Sequence, residues 1–178
     1  MAYVPTTFTA GETPPTSKWN QLGGNDSSFN DGTGIGQVIG PSHLTATAIT
    51  AGYVQAIANQ TSITSTTVVQ VTSLSAAVTV PGGGRRLEIE AHLPNVALAA
   101  AGNIFVSIWD GAVGSGTQLQ EDEITVAGAT FVVSPTVKAY PAPAAGGKTY
   151  NVGIRVGSST AAITSSATAP SSLIVKVI

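Results

Sequence analysis

The sequence predicts an all-β chain: a jelly-roll-like antiparallel β-sandwich preceded by an extended N-terminal arm with one short helix. Three observations predict it. From residue 51 onward, apolar and polar residues alternate, and turn signals interrupt the alternation about every 8–12 residues. No sustained 3.6-residue pattern appears in that stretch. Residues 1–48, by contrast, are rich in Gly, Pro, Asn, Asp, Ser and Thr and keep neither period. The expected division is therefore an arm over residues 1–48 and a sandwich over residues 49–178.

In the arm, residues 15–22 predict a short helix. Thr13 or Thr16 can cap it, Pro14 or Pro15 suits its first turn, and Gly23-Gly24 ends it. Trp19 and Leu22 lie three apart and share one face of such a helix. Residues 25–36 read as successive turns. The large apolar residues Tyr3, Phe8, Trp19, Leu22, Phe29 and Ile35 stand singly along a polar chain. They are too scattered to build a core of their own, so the expectation is that they dock on a partner surface.

The expected strands are 53–59, 66–72, 76–80, 85–93, 103–109, 117–125, 130–139, 149–156, 160–166 and 171–178. In the fourth, Leu87, Ile89, Ala91 and Leu93 point one way and Glu88, Glu90 and His92 the other. One face of that strand is therefore buried and the other is not. Tyr150, Val152, Ile154 and Val156 repeat the pattern, with Arg155 outward. Turns are read at Pro81-Gly82-Gly83-Gly84, Asp110-Gly111, Gly114-Ser115-Gly116, Ala127-Gly128, Gly146-Gly147 and Gly157-Ser158. The last strand, Leu173-Ile174-Val175-Lys176-Val177-Ile178, is too apolar for a free edge and is expected to be central or at a subunit contact.

Composition narrows the function. Charged residues make up 9% of the 178 residues and the net charge is -2. An average soluble domain carries about 25%, so this chain has no basic surface for nucleic acid. A surface of hydroxyls and small residues, with little charge repulsion, suits a part of a larger assembly. Without cysteine there are no disulfides and no thiolate zinc sites. No apolar run approaches the roughly 18 residues of a membrane helix, and the N-terminus lacks the features of a secretory signal. Neither a membrane nor a secretory address is expected.

No catalytic constellation is legible. His43 sits in the loop Gly40-Pro41-Ser42-His43-Leu44, and His92 lies on the polar face of a strand. Neither has a second ligand at metal-binding spacing or a recognisable nucleophile context. In Glu121-Asp122-Glu123, strand alternation puts Glu121 and Glu123 on one face and Asp122 on the other. This reads as a solvated strand end. Asp26 and Asp31 lie among turns without an EF-hand pattern. Gly82-Gly83-Gly84 before Arg85-Arg86 reads as a hairpin turn with an exposed basic pair. No cofactor is expected, and no metal. The ligand site the residues do suggest is a sugar contact, from Trp109 beside Asp110 at a strand end and Tyr140 beside Pro141-Ala142-Pro143.

The arm also carries a phrase. Phe8-Thr9-Ala10-Gly11-Glu12, Ser17-Lys18-Trp19-Asn20-Gln21-Leu22 and Asn25-Asp26-Ser27-Ser28-Phe29-Asn30-Asp31-Gly32-Thr33-Gly34-Ile35 resemble the N-termini of tailed-bacteriophage minor virion proteins. Further on, Ala58-Asn59-Gln60-Thr61-Ser62-Ile63-Thr64, Val78-Thr79-Val80-Pro81-Gly82 and Gly84-Arg85-Arg86 are similar to the same group. The resemblance implies a virion location and a sandwich that trimerises, with the N-terminal segment as its anchor to a capsid or tail protein. It implies no catalytic residues. The expectation is a capsid decoration or head-fibre knob, and the alternative is a tail-associated module that binds a receptor or host-surface glycan.

Overall fold

The structure is a computed structural model that describes residues 50–80, 85–129 and 131–178. The expected helix, the six docking residues of the arm, His43 and the 81–84 turn lie outside the described residues. The described residues belong to one compact unit, residues 46–178.

Twelve strands form there, and among the described residues there is no helix. They are β1 (Thr50–Ala56), β2 (Gln60–Ile63), β3 (Val69–Val80), β4 (Leu87–His92), β5 (Val96–Leu98) and β6 (Gly102–Asp110), followed by β7 (Thr117–Val126), β8 (Val132–Val133), β9 (Thr136–Ala139), β10 (Gly146–Val156), β11 (Ala161–Ile163) and β12 (Ser171–Val177). All pairings are antiparallel, and hydrogen bonding groups the strands as β1-β12-β4-β9, β2-β11-β5-β8 and β3-β10-β6-β7.

The first two groups are one layer broken across its width. β1 runs on into β2, β4 into β5, β8 into β9 and β11 into β12, and the strand order is the same on both sides of the break. The cause is visible at two adjacent crossings. Pro94 interrupts β4/β5 and Pro135 interrupts β8/β9, and a proline donates nothing to a ladder. Asn95 adds a left-handed turn (φ 47°). Leu93 still donates to the Pro135 carbonyl at 3.0 Å, so the two breaks sit side by side. Counted as continuous runs, four strands face the four of β3-β10-β6-β7. The chain passes between the layers in the order of a jelly roll, as the alternation pattern led one to expect.

Period 2 explains the core. β4 buries Leu87, Ile89 and Ala91 and turns Glu88, Glu90 and His92 outward. β10 buries Tyr150, Val152, Ile154 and Val156, and β12 buries Leu173 and Val175. These side chains join Leu74, Val96, Leu98, Ile104 and Ile108 in one apolar cluster. Each fully buried aliphatic side chain contributes about 1.5–3 kcal/mol. β12 lies between β1 and β4, a central position that fits its apolar sequence.

Some boundaries differ from expectation. The two strands expected at 66–72 and 76–80 are one strand, β3, with an irregularity opposite Asn151 and Gly153. There the extra residues let both Val71 and Leu74 point inward, and Ser73 takes a positive φ of 65°. Gly146-Gly147, expected as a turn, opens β10, and the strand expected at 130–139 is split into β8 and β9 at Ser134-Pro135. β2 and β5 were not anticipated. At four and three residues they are too short to show an alternation of their own.

Candidate functional site

Two outward faces leave the sandwich, and the register assigns residues to each. On β1-β12-β4-β9, cross-strand neighbours form rows. Tyr53 lies opposite Ile174, which lies opposite Glu90, which lies opposite Lys138. The next row is Gln55, Ser172, His92 and Thr136. A third pairs Lys176 with Glu88. Leu87 donates to the Pro141 carbonyl at 2.9 Å, carrying the β4-β9 ladder past the end of β9. Ala139 is buried and Tyr140 exposed, so Tyr140 continues the outward side on which Lys138 stands.

The charges of this face answer one another. Lys138 Nζ lies 2.7 Å from Glu90 and 3.2 Å from Glu88, and Lys176 Nζ lies 3.9 Å from Glu88. The hydrogen bond from Lys138 holds the Glu90 carboxyl below its ordinary range. Partial burial opposes this, and the charges of Lys138, Lys176 and His92 add to it. Glu90 and Glu88 push the Lys138 ammonium upward in turn, first through their hydrogen bonds. His92 Nδ1 and Thr136 Oγ1 are 2.9 Å apart, and the Gln55 amide donates to the Tyr53 hydroxyl. Two lysines and two glutamates balance in the middle rows, with the exposed Arg86 beyond them past Glu88, and tyrosines that are each 54% exposed stand on edge strand β1 and just after edge strand β9.

The outward face of β3-β10-β6-β7 is closed on itself. The Arg155 guanidinium lies 3.6 Å from the centre of the Phe105 ring and binds both Glu121 oxygens, at 2.7 and 3.1 Å. Glu121 therefore raises the Arg155 pKa, chiefly through those hydrogen bonds. Beside it, Trp109 Nε1 donates to Ser107 Oγ at 2.8 Å. Asn151 accepts from Gln70 at 3.1 Å and donates to the Gly111 carbonyl at 2.8 Å. Gly153 leaves the space over which Trp109 and Val68 meet. A β-carbon there would come within 2.6 Å of Val68, 2.8 Å of Ser107 Oγ and 3.0 Å of Trp109 Nε1.

The sugar contact expected at Trp109, Asp110 and Tyr140 is not assembled as one site. Trp109 is only 8% exposed and its N–H is occupied by Ser107, so its ring is part of the packing. Asp110 is ion-paired with Lys148 at 2.8 Å. Tyr140 stands exposed on the other layer. The acidic run also differs from the reading of a solvated strand end. It lies in mid-strand: Glu123 faces Phe105, Glu121 faces Ser107, and Asp122 faces Val106 on the opposite side of the sheet. Tyr53 is the functional candidate that sequence reasoning missed. Its signal was the Tyr53/Gln55 alternation against Val54/Ala56, which acquires meaning only when register sets Ile174 and Glu90 beside it.

Two other features complete the chemistry. A groove of about 350 Å³ runs between β7 and β9, lined by residues 121–124 and 135–137. The Tyr150 hydroxyl is buried and has no hydrogen-bond partner among the described residues, and burial, with Asp110 nearby, pushes its pKa to about 12. Among the described residues no group of three or more His, Cys, Asp or Glu side chains could hold a metal ion.

Fold and site thus define a jelly roll with one self-contained outward face and one tyrosine-edged face whose middle rows pair their charges. No protein-family model and no curated protein matches the chain. Among solved structures it is similar to a carbohydrate-binding module from Cellvibrio mixtus lichenase 5A in complex with cellotriose, at 15% identity and a TM-score of 0.37, covering 72% of this chain and 98% of that one. It is also similar to the enzymatically active domain of tailspike protein 4 of bacteriophage CBA120, at 11% identity and a TM-score of 0.31. That match covers 71% of this chain and 19% of the tailspike chain. A third is the CBM22-1 xylan-binding domain of Paenibacillus barcinonensis Xyn10C, at 11% identity and a TM-score of 0.30, covering 71% and 86%.

Proposed function

We propose that this chain is a structural accessory protein of a bacteriophage virion. In this reading the jelly roll is a non-catalytic knob, displayed as a homotrimer and attached to the capsid, as a decoration or head fibre, by residues 1–48. The observation that carries it is the phrase over residues 8–35, which resembles the N-termini of minor virion proteins and sets five of the six apolar docking residues in a polar chain. Low charge supports it, because neutral surfaces of small residues can be covered by symmetry mates. The test is incorporation: Phe8→Ala/Trp19→Ala/Phe29→Ala protein should fold and oligomerise as the wild type does, yet fail to co-sediment with particles. Normal incorporation would remove the anchoring role.

A second reading is favoured by one observation, the two half-exposed tyrosines on a single sheet face. In it the knob is an adhesion module, tail-associated or on the head, that contacts host-surface glycan. The two readings are compatible, since one concerns residues 1–48 and the other the sandwich.

A further inference from the structure

We propose that the outward face of β1-β12-β4-β9 is a binding platform for a short neutral glycan, held at its two ends by Tyr53 and Tyr140. The inference rests on the adhesion reading and gives it a site and a substrate class. Tyr53 is on β1 and Tyr140 follows β9, the two edge strands of a four-stranded sheet. Three strand spacings across and two residues along the strands separate them, roughly 16 Å in all, which is the length of a short oligosaccharide. Sugar rings present apolar C–H faces and polar hydroxyl edges. The platform offers both kinds of partner: aromatic faces and the Ile174 side chain for the first, and Gln55, Ser172, His92, Glu90, Glu88 and Lys138 for the second.

Charge decides among ligand classes. In the rows that hold the two tyrosines, Lys138 and Lys176 are matched by Glu88 and Glu90 within 4 Å, so those rows carry no net charge to attract a polyanion or polycation; Arg86 lies one row beyond Glu88, outside the span between the tyrosines. Each member of those pairs keeps donor or acceptor capacity for a hydroxyl. The pairing also fixes the long side chains before a ligand arrives, which lowers the entropy lost on binding. The closed face opposite has no equivalent. Its tryptophan is buried, and its arginine is stacked on Phe105 and bound to Glu121.

The experiment uses the full chain. It is applied to an array of neutral, sialylated and sulfated oligosaccharides, and then titrated calorimetrically with short neutral glucan, mannan and galactan oligosaccharides. Binding of a neutral glycan is expected, with Tyr53→Ala and Tyr140→Ala each weakening it by about tenfold. Tyr53→Phe, which keeps the ring, should stay within about threefold of the wild type. Phe131→Ala, at an exposed aromatic beside β8, should leave affinity unchanged. Circular dichroism checks that the variants fold. Should an alanine variant fail to fold, Lys138→Met and Gln55→Ala probe the same rows. Neutral-glycan binding that survives both tyrosine substitutions would overturn the platform while leaving the adhesion reading intact. A preference for sialylated or sulfated sugars would overturn the neutral class. Absence of binding across the array would overturn platform and adhesion together and leave the anchoring proposal standing.

Discussion

The two outward faces of the sandwich are built by the same rule and end in different states. Both come from alternation along four antiparallel strands, interrupted by register shifts in β1, β3 and between β6 and β7, and both carry aromatic and charged residues. On β3-β10-β6-β7 those groups bond to one another: Arg155 to Glu121 over Phe105, Trp109 to Ser107 above Gly153, and Asn151 between Gln70 and Gly111. On β1-β12-β4-β9 the charges pair along the surface while the tyrosines remain half-exposed. What separates them is cover. The β2–β3 connection brings Val68 over Gly153 and closes the first face, whereas both tyrosines of the second stand clear. Alternation decides which residues leave the core, and the connections decide which of those meet solvent.

The comparison can be broken most severely at Trp109. Trp109→Ala should cost about 3–5 kcal/mol in urea unfolding, the range for a buried aromatic. Tyr53→Ala and Tyr140→Ala should stay within about 0.5 kcal/mol of wild type. Equal effects at the three sites would mean that the faces are not distinct. Gly153→Ala tests the cover itself. Its methyl group would crowd Val68, Ser107 and Trp109, and a loss of about 1–3 kcal/mol is expected. A neutral or stabilising result would show that Val68 moves aside freely.

Smaller effects sharpen the electrostatic contrast. Arg155→Met removes a stacked, bidentate cation and should cost about 1 kcal/mol. A double-mutant cycle with Glu121→Gln should show the coupling, and additive losses would mean that the pair contributes nothing as a pair. The smallest effect belongs to Lys138→Met, and it depends on pH. Glu90 has its folded-state pKa depressed by Lys138, so its contribution to stability is complete above its ordinary value of 4.5 and is lost as pH falls through the lower folded value. The difference between wild type and Lys138→Met should therefore be present at neutral pH and close below pH 4.5. A difference that persisted unchanged into acid would point to packing by the lysine stem and not to its charge.

Particular residues show how much could be read in advance. In β4 and β10, long alternating runs with large aliphatic residues identified inward and outward sides correctly, because one buried face forces period 2. The irregularity in β3 reads in sequence as a break between two strands, since a bulge interrupts alternation just as a strand end does. The short strands β2 and β5 were invisible because three or four residues carry too little pattern. Trp109 and Tyr53 were the hardest. A tryptophan at a strand end beside Asp110-Gly111 looks the same in sequence whether Val68 covers it or solvent does. Tyr53 becomes a candidate only through neighbours 121 and 37 positions away, Ile174 and Glu90.

The sequence by itself determined the fold class, the side of each long strand that is buried, the central character of β12 and the low charge of the chain. These follow from local alternation and composition, which need no partner to be read. Only the tertiary structure decided which strands are neighbours, where Pro94 and Pro135 together break a layer, and that Trp109 is packed while Tyr53 and Tyr140 stand at opposite edges of one face. Those outcomes depend on register and on connections that cross the sheets, and they join residues a hundred positions apart through contacts that no local pattern encodes.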